Sequence, residues 1–159
     1  MKWYDKLFCW GVIVLFGIFL ATTSKAAQPT DPVECMTKNV YYESAGESFD
    51  GRVAVAAVTL NRADGNVDKV CGAVYEKAVN PSTGKKEAAF SWTLGAAWRA
   101  KGPVNQRAMA ECELIARAVI AGELHSKFDS TVKHYHTVSV HPGWHRRFVM
   151  RIGHHLFYT

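Results

Sequence analysis

Gly51-Arg52-Val53-Ala54-Val55-Ala56-Ala57-Val58-Thr59-Leu60-Asn61-Arg62 is the stretch on which the fold turns. Wound at 3.6 residues per turn, Val53 through Val58 and Leu60 leave almost no polar face. A helix of that kind is buried on all sides, so a central helix is expected from about Phe49 to Arg62. On its N-terminal side, Asp31 is a suitable N-cap, Pro32 fits the first helical position and Glu34 completes a capping box. A first helix is therefore expected to run to about Ala45 and stop at Gly46. On the C-terminal side, Asp64-Gly65-Asn66 is a turn signal, and Val67–Lys77 reads as a short third helix. Asn80-Pro81-Ser82-Thr83-Gly84-Lys85-Lys86 is a polar loop whose flanks could pair as a hairpin. Ala108, Met109, Cys112, Ile115, Ala116, Val119 and Ile120 recur at spacings of three and four. They mark a fourth helix over Gln106–Ala121, capped by Asn105 and ended by Gly122. Val132–Val138 and Met150–Tyr158 carry β-branched and aromatic residues and read as short strands. The fold class is α+β, mostly helical, with a small β-sheet.

The chain has 159 residues, room for one domain and too few for a large multidomain enzyme. With 48% hydrophobic and 21% charged residues it has the composition of a folded protein and not of a disordered one. The net charge of +5 suits an acidic partner such as nucleic acid, anionic lipid or a wall polymer. No phosphate-cradling glycine loop, GxSxG elbow or nucleic-acid-binding motif is present.

Lys2 and Lys6 precede the apolar run Leu7–Ala21, and Ser24-Lys25-Ala26 resembles a cleavage signal. Residues 1–26 are read as a signal peptide cut after Ala26 or as an uncleaved signal anchor in the inner membrane. The charge-free stretch Leu7–Ser24 lies between the two lengths. Either way residues 27–159 form the exported domain, periplasmic or secreted, with or without a membrane tether. Cleavage removes three lysines and one aspartate, so the charge falls to +3. It also removes Cys9 and leaves Cys35, Cys71 and Cys112. In an oxidising compartment three single pairings are open, or all three stay buried thiols.

Glu43 follows two tyrosines, near the end of the first helix and just before the buried one. A carboxyl so placed is partly desolvated, which raises its pKa and suits it to general acid work. Glu47, four residues on, falls near the same face. All seven histidines lie in the last third of the chain. His134-Tyr135-His136 puts two imidazoles on one strand face, and His141 and His145 follow. A zinc site would need three or four converging ligands and usually a carboxylate base; no HExxH is present and no metal or other cofactor is assigned. Trp92, Trp98 and Trp144 fall in loop regions, where aromatics either stack on sugar faces or pack into the core. Lys85-Lys86 and Arg146-Arg147 read as solvated basic pairs.

Four blocks, in order, resemble the SleB-type cell-wall hydrolase family, the catalytic domain of spore-cortex-lytic enzymes. They are Glu34-Cys35 through Tyr42-Glu43-Ser44-Ala45-Gly46-Glu47; Gly51–Arg62; Val70-Cys71-Gly72-Ala73-Val74-Tyr75 with Phe90-Ser91-Trp92; and His134-Tyr135-His136, Pro142-Gly143-Trp144 and Arg151–Tyr158. The resemblance covers about Asp31–Thr159. The family pattern carries an arginine where this chain has Ser44-Ala45, and the spore enzymes' peptidoglycan-binding domain is absent.

The resemblance implies a lysozyme-like domain that cuts the glycan strand of peptidoglycan between N-acetylmuramic acid and N-acetylglucosamine. It implies that Glu43 is the catalytic acid and then base. It also places Glu47, Ser91, Tyr135, His136, Trp144 and His155 in the cleft as substrate contacts. The implied partner is peptidoglycan, with no nucleic acid. Small size and export also suit a phage endolysin. The alternatives are a hydrolytic muramidase with Glu47 or Asp50 positioning water, a zinc-dependent peptidoglycan amidase built on the histidines, and an exported protein that binds wall glycans without cutting.

Overall fold

The computed structural model describes residues 29–79, 84–95, 103–143 and 145–159. The leader, the tip of the polar loop, Trp98 and Trp144 lie outside the described residues. In chain order the elements are α1 (Pro32–Ser44), α2 (Phe49–Arg62), a 3₁₀ turn at Val67–Lys69, α3 (Val70–Val74), β1 (Lys77–Val79) and β2 (Lys86–Ala88). A second 3₁₀ turn at Ser91–Leu94, α4 (Gln106–Ile120), β3 (His134–Thr137), β4 (Phe148–Ile152) and β5 (His155–Tyr158) follow.

The capping chemistry works as the sequence suggests. Asp31 accepts from the Val33 N–H, Ser48 from the Gly51 N–H and Asn105 from the Ala108 N–H, each satisfying a donor that a helix start leaves open. The buried central helix occupies Phe49–Arg62 as expected, and its two faces serve two clusters. Val53, Val55 and Ala56 pack with Cys35, Met36 and Val40 of α1, and Cys112, Ile115, Ala116 and Val119 of α4. Ala54 and Val58 pack with Val132, Ile152 and Phe157 beneath the sheet.

Two expectations are corrected. The third helix does not reach Lys77. It ends at Val74, because Lys77–Val79 pairs antiparallel with Lys86–Ala88. The run Met150–Tyr158 is not one strand but parts of two. Gly153, at φ +58°, turns the chain so that β4 and β5 pair with each other, in a conformation that glycine adopts without steric cost. The sheet order is β3-β5-β4, with β5 central and antiparallel to both neighbours.

Three polar links hold these parts in register. Asn39, fully buried, donates to Thr59 Oγ1 at 2.9 Å and accepts from Trp92 Nε1 at 2.9 Å. This network joins α1, α2 and the Ser91 turn, and every bond in it is electrostatically stronger for being buried. Asn61 Nδ2 donates to the carbonyls of Asp129 and Val132 at 3.0 and 2.9 Å, tying the end of α2 to the start of β3. Cys35 and Cys71 form a disulfide between α1 and α3, while Cys112 is a buried free thiol. Of the three pairings open in the sequence, the fold selects the one whose cysteines face across the α1–α3 contact.

Replacing both Cys35 and Cys71 by serine is expected to lower stability by about 2–4 kcal/mol. Urea unfolding of the oxidised protein and the double variant measures it, and reductant should bring the wild type towards the variant.

Candidate active site

Where the end of α1 meets the edge of the sheet there is a cavity of about 470 Å³. Glu43, Ser91, Tyr135, His136 and His155 all line it, so five of the seven residues expected in the cleft meet there. Trp144 is outside the described residues, and Glu47 is not part of the lining. Tyr42, whose place beside Glu43 was visible in the sequence, stacks on the buried Trp92 at 4.9 Å between ring centroids. Trp92 is thus a core residue that also forms the cavity floor, and its indole N–H is spent on Asn39.

Glu43 sits in the last turn of α1, half-buried. Burial raises its pKa above the usual carboxylate range, against a hydrogen bond that Tyr135 donates to Oε2 at 3.3 Å. The carbonyl end of α1 acts in the same direction as burial, since it disfavours a negative charge there. Tyr135 keeps its proton: burial first, then the neighbouring Glu43, hold its pKa well above 10. Among the described residues, Glu43 is the one carboxylate that lines the cavity.

Glu47 faces the turn between β4 and β5. Its Oε2 accepts from the His154 backbone N–H at 3.1 Å, and its Oε1 lies 3.0 Å from His154 Nδ1 and 4.0 Å from His155 Nδ1. Burial alone would raise its pKa; the two hydrogen bonds from His154 and the nearby imidazoles outweigh it and lower the pKa overall. The clamp depends on Gly153, because a Cβ there would come within 2.0 Å of Glu47 Oε2. His154 was not anticipated as a partner; the Gly153-His154 pair was the available turn signal.

His155 is almost fully buried, edge-on to the Tyr135 ring at 5.0 Å between centroids. Burial pulls its pKa below the ordinary range, against the pull of Glu47, so the imidazole is neutral at pH 7. Glu47 therefore sets the hairpin turn, the hairpin sets β5, and β5 holds His155 and Tyr135 against Glu43. Ser91 stands at the rim on the turn anchored by Trp92. Asp50, the other acid considered for positioning water, pairs with Lys127 at 2.5 Å and is not part of the cavity lining. Among the described residues no three of His, Cys, Asp and Glu converge as metal ligands would.

A family model described as cell wall hydrolase matches residues 46–158. The chain belongs to the cell wall hydrolase family. The matched stretch holds Glu47, Ser91, Tyr135, His136 and His155, and begins three residues after Glu43. Among solved structures, the chain is similar to the catalytic domain of the germination-specific lytic transglycosylase SleB from Bacillus anthracis. The identity is 24% and the TM-score 0.58, over 82% of this chain and 96% of that one. The wall hydrolase thus shares that catalytic domain's lysozyme-like α+β fold. No curated protein matches it.

Glu47→Ala is expected to destabilise this cell wall hydrolase by about 1.5–3 kcal/mol, the range for hydrogen bonds to a charged group. Because the folded pKa of Glu47 is depressed, its contribution is complete above about pH 4.5 and fades as pH falls through the lowered value. Unfolding curves of the wild type and variant should accordingly converge as the pH is taken below 4.5.

Proposed function

We propose that this cell wall hydrolase cleaves the bond between N-acetylmuramic acid and N-acetylglucosamine in peptidoglycan as a lytic transglycosylase. Its acid–base group is Glu43. The observation that carries the reading is that, among the described residues, one partly desolvated carboxyl lines a cavity whose other lining groups are aromatic, imidazole, hydroxyl and aliphatic.

Protonated Glu43 gives its proton to the glycosidic oxygen as the bond to the anomeric carbon breaks. The ionised carboxylate, held by the Tyr135 hydroxyl, takes the proton of the muramic acid 6-hydroxyl. That oxygen bonds to the anomeric carbon and closes a 1,6-anhydro ring. Glu43 ends protonated again, and no water is consumed. One group serves twice because its protonation state alternates. A retaining glycosidase would need a second carboxyl about 5–5.5 Å away, and an inverting one a base about 6.5–9.5 Å away. Glu47 and Asp50, the acids available for a muramidase mechanism, are engaged with His154 and Lys127 instead. His155, Ser91 and His136 are the cavity's polar contacts for the sugars. Glu47 is assigned to positioning rather than to substrate.

Export fits the same account. A disulfide between Cys35 and Cys71 belongs to an oxidising compartment. Residues 1–26 supply the address, as a cleaved signal peptide or an anchor. Among the described residues no helix is long and apolar enough to cross a membrane. An export segment on a small catalytic domain also suits a lysin released by a phage.

Glu43→Gln should lower the rate of wall solubilisation by at least about 10²-fold, the lower end for loss of a general acid–base group, with the fold unchanged by circular dichroism. Retained lysis would refute the assignment. Activity of the wild type should fall as pH rises through the raised pKa of Glu43, because the acid must be protonated. Tyr135→Phe removes a bond that favours the ionised form. The alkaline limb of the pH–rate profile should then move to higher pH.

A further inference from the structure

The outer face of the sheet is built, apart from His136, from residues that the cavity does not use. Along β5, burial alternates: His155 and Phe157 are buried, Leu156 and Tyr158 half-buried. Antiparallel partners share a face. His136, opposite Leu156, and Phe148, opposite Tyr158, therefore stand on the outer side. The ring of His136 stacks on Tyr158 at 5.1 Å and 19°, and Phe148 meets Tyr158 edge-on at 5.7 Å.

A bulge decides which side chain ends this row. The register shifts between Phe148 and Met150, and Val149 and Met150 both pack on the inner cluster. Without the extra residue, Val149 would stand opposite Tyr158. With it, Phe148 does, and Phe148 is 54% exposed. Bulges commonly re-aim a side chain in this way. Arg151 shares the outer face, opposite Leu156, and Arg146 and Arg147 lead into Phe148. The row begins at the cavity, because β3 is an edge strand and His136 also lines the cleft.

We propose that His136, Tyr158 and Phe148 form a carbohydrate-binding surface that carries the peptidoglycan strand out of the cleft and over the sheet. The proposal rests on the peptidoglycan reading above and deepens it. Pyranose rings present an apolar C–H face that stacks on aromatic rings, and the 3.0 Å contact between His136 Nε2 and the Tyr158 hydroxyl fixes the two rings in place. The arginines complement the carboxylates of the stem peptides. Continuity with the cleft and this charge favour a glycan strand over a lipid surface. The strand would bind through more sugars than the cavity holds.

The test uses the Glu43→Gln protein, so that binding is read without cleavage, and purified peptidoglycan freed of secondary polymers. Phe148→Ala in that background should weaken co-sedimentation with the wall about three- to tenfold, the scale of one aromatic contact. Phe148→Trp should restore it, and Arg151→Glu should also weaken it. Leu114→Ala, at an even more exposed apolar residue on α4, should leave it as it was. Melting temperatures check that each variant is folded. Unchanged binding by both Phe148→Ala and Arg151→Glu overturns the proposal. So does a loss confined to anionic phosphatidylglycerol vesicles, which would make the face a membrane contact. The two readings fail separately: aromatic-dependent wall binding by a wild-type protein that releases no glycan fragments would sink the catalytic reading alone.

Discussion

Burial of α2 from Val53 to Thr59 on every side is the constraint from which the rest of the structure follows. A helix with no polar face must be covered on every side, and no one layer can do that. α1 and α4 cover one side, and the three-stranded sheet covers another. The two coverings meet along a seam, and the end of α1 opens onto it. Side chains at the seam have buried surroundings on one side and open space on the other. Such a seam can hold a carboxyl that is desolvated and still reachable by substrate.

Position on the seam explains the division of labour among the acids. Glu43, in the last turn of α1, faces the cavity with Tyr135 as its hydrogen-bond donor. Glu47, one helical turn further along the chain, faces the β4–β5 turn and is held ionised by His154. One carboxyl is pushed towards its neutral form and the other towards its charged form, which is how two nearby acids come to serve different ends. In the mechanism proposed above, that arrangement puts the reacting proton on Glu43 and leaves Glu47 to hold the β-hairpin in place.

Legibility in the sequence followed the strength of each local signal. α2 was readable because Val53–Val58 admits little but a buried helix, and α1 and α4 because Asp31 and Asn105 are strong caps. β1 was legible only as one flank of a polar loop that could pair as a hairpin, because Lys77–Val79 is exposed throughout and has no buried face to set a period. The β4–β5 turn was masked by an apolar run on both sides of Gly153-His154. Glu43 could be singled out from its neighbours Tyr41 and Tyr42. The contact of Glu47 with His154 could not be, because that partner lies 107 residues away in the chain. The disulfide was undecidable for the same reason: three cysteines allow three pairings until α1 and α3 are placed side by side.

The central claim is that one carboxyl, without a second to activate water, makes the product. Mass spectrometry of the soluble fragments released from purified peptidoglycan tests it most directly. The account predicts fragments ending in 1,6-anhydro-N-acetylmuramic acid. Fragments carrying a free reducing N-acetylmuramic acid, heavier by one water, would contradict it.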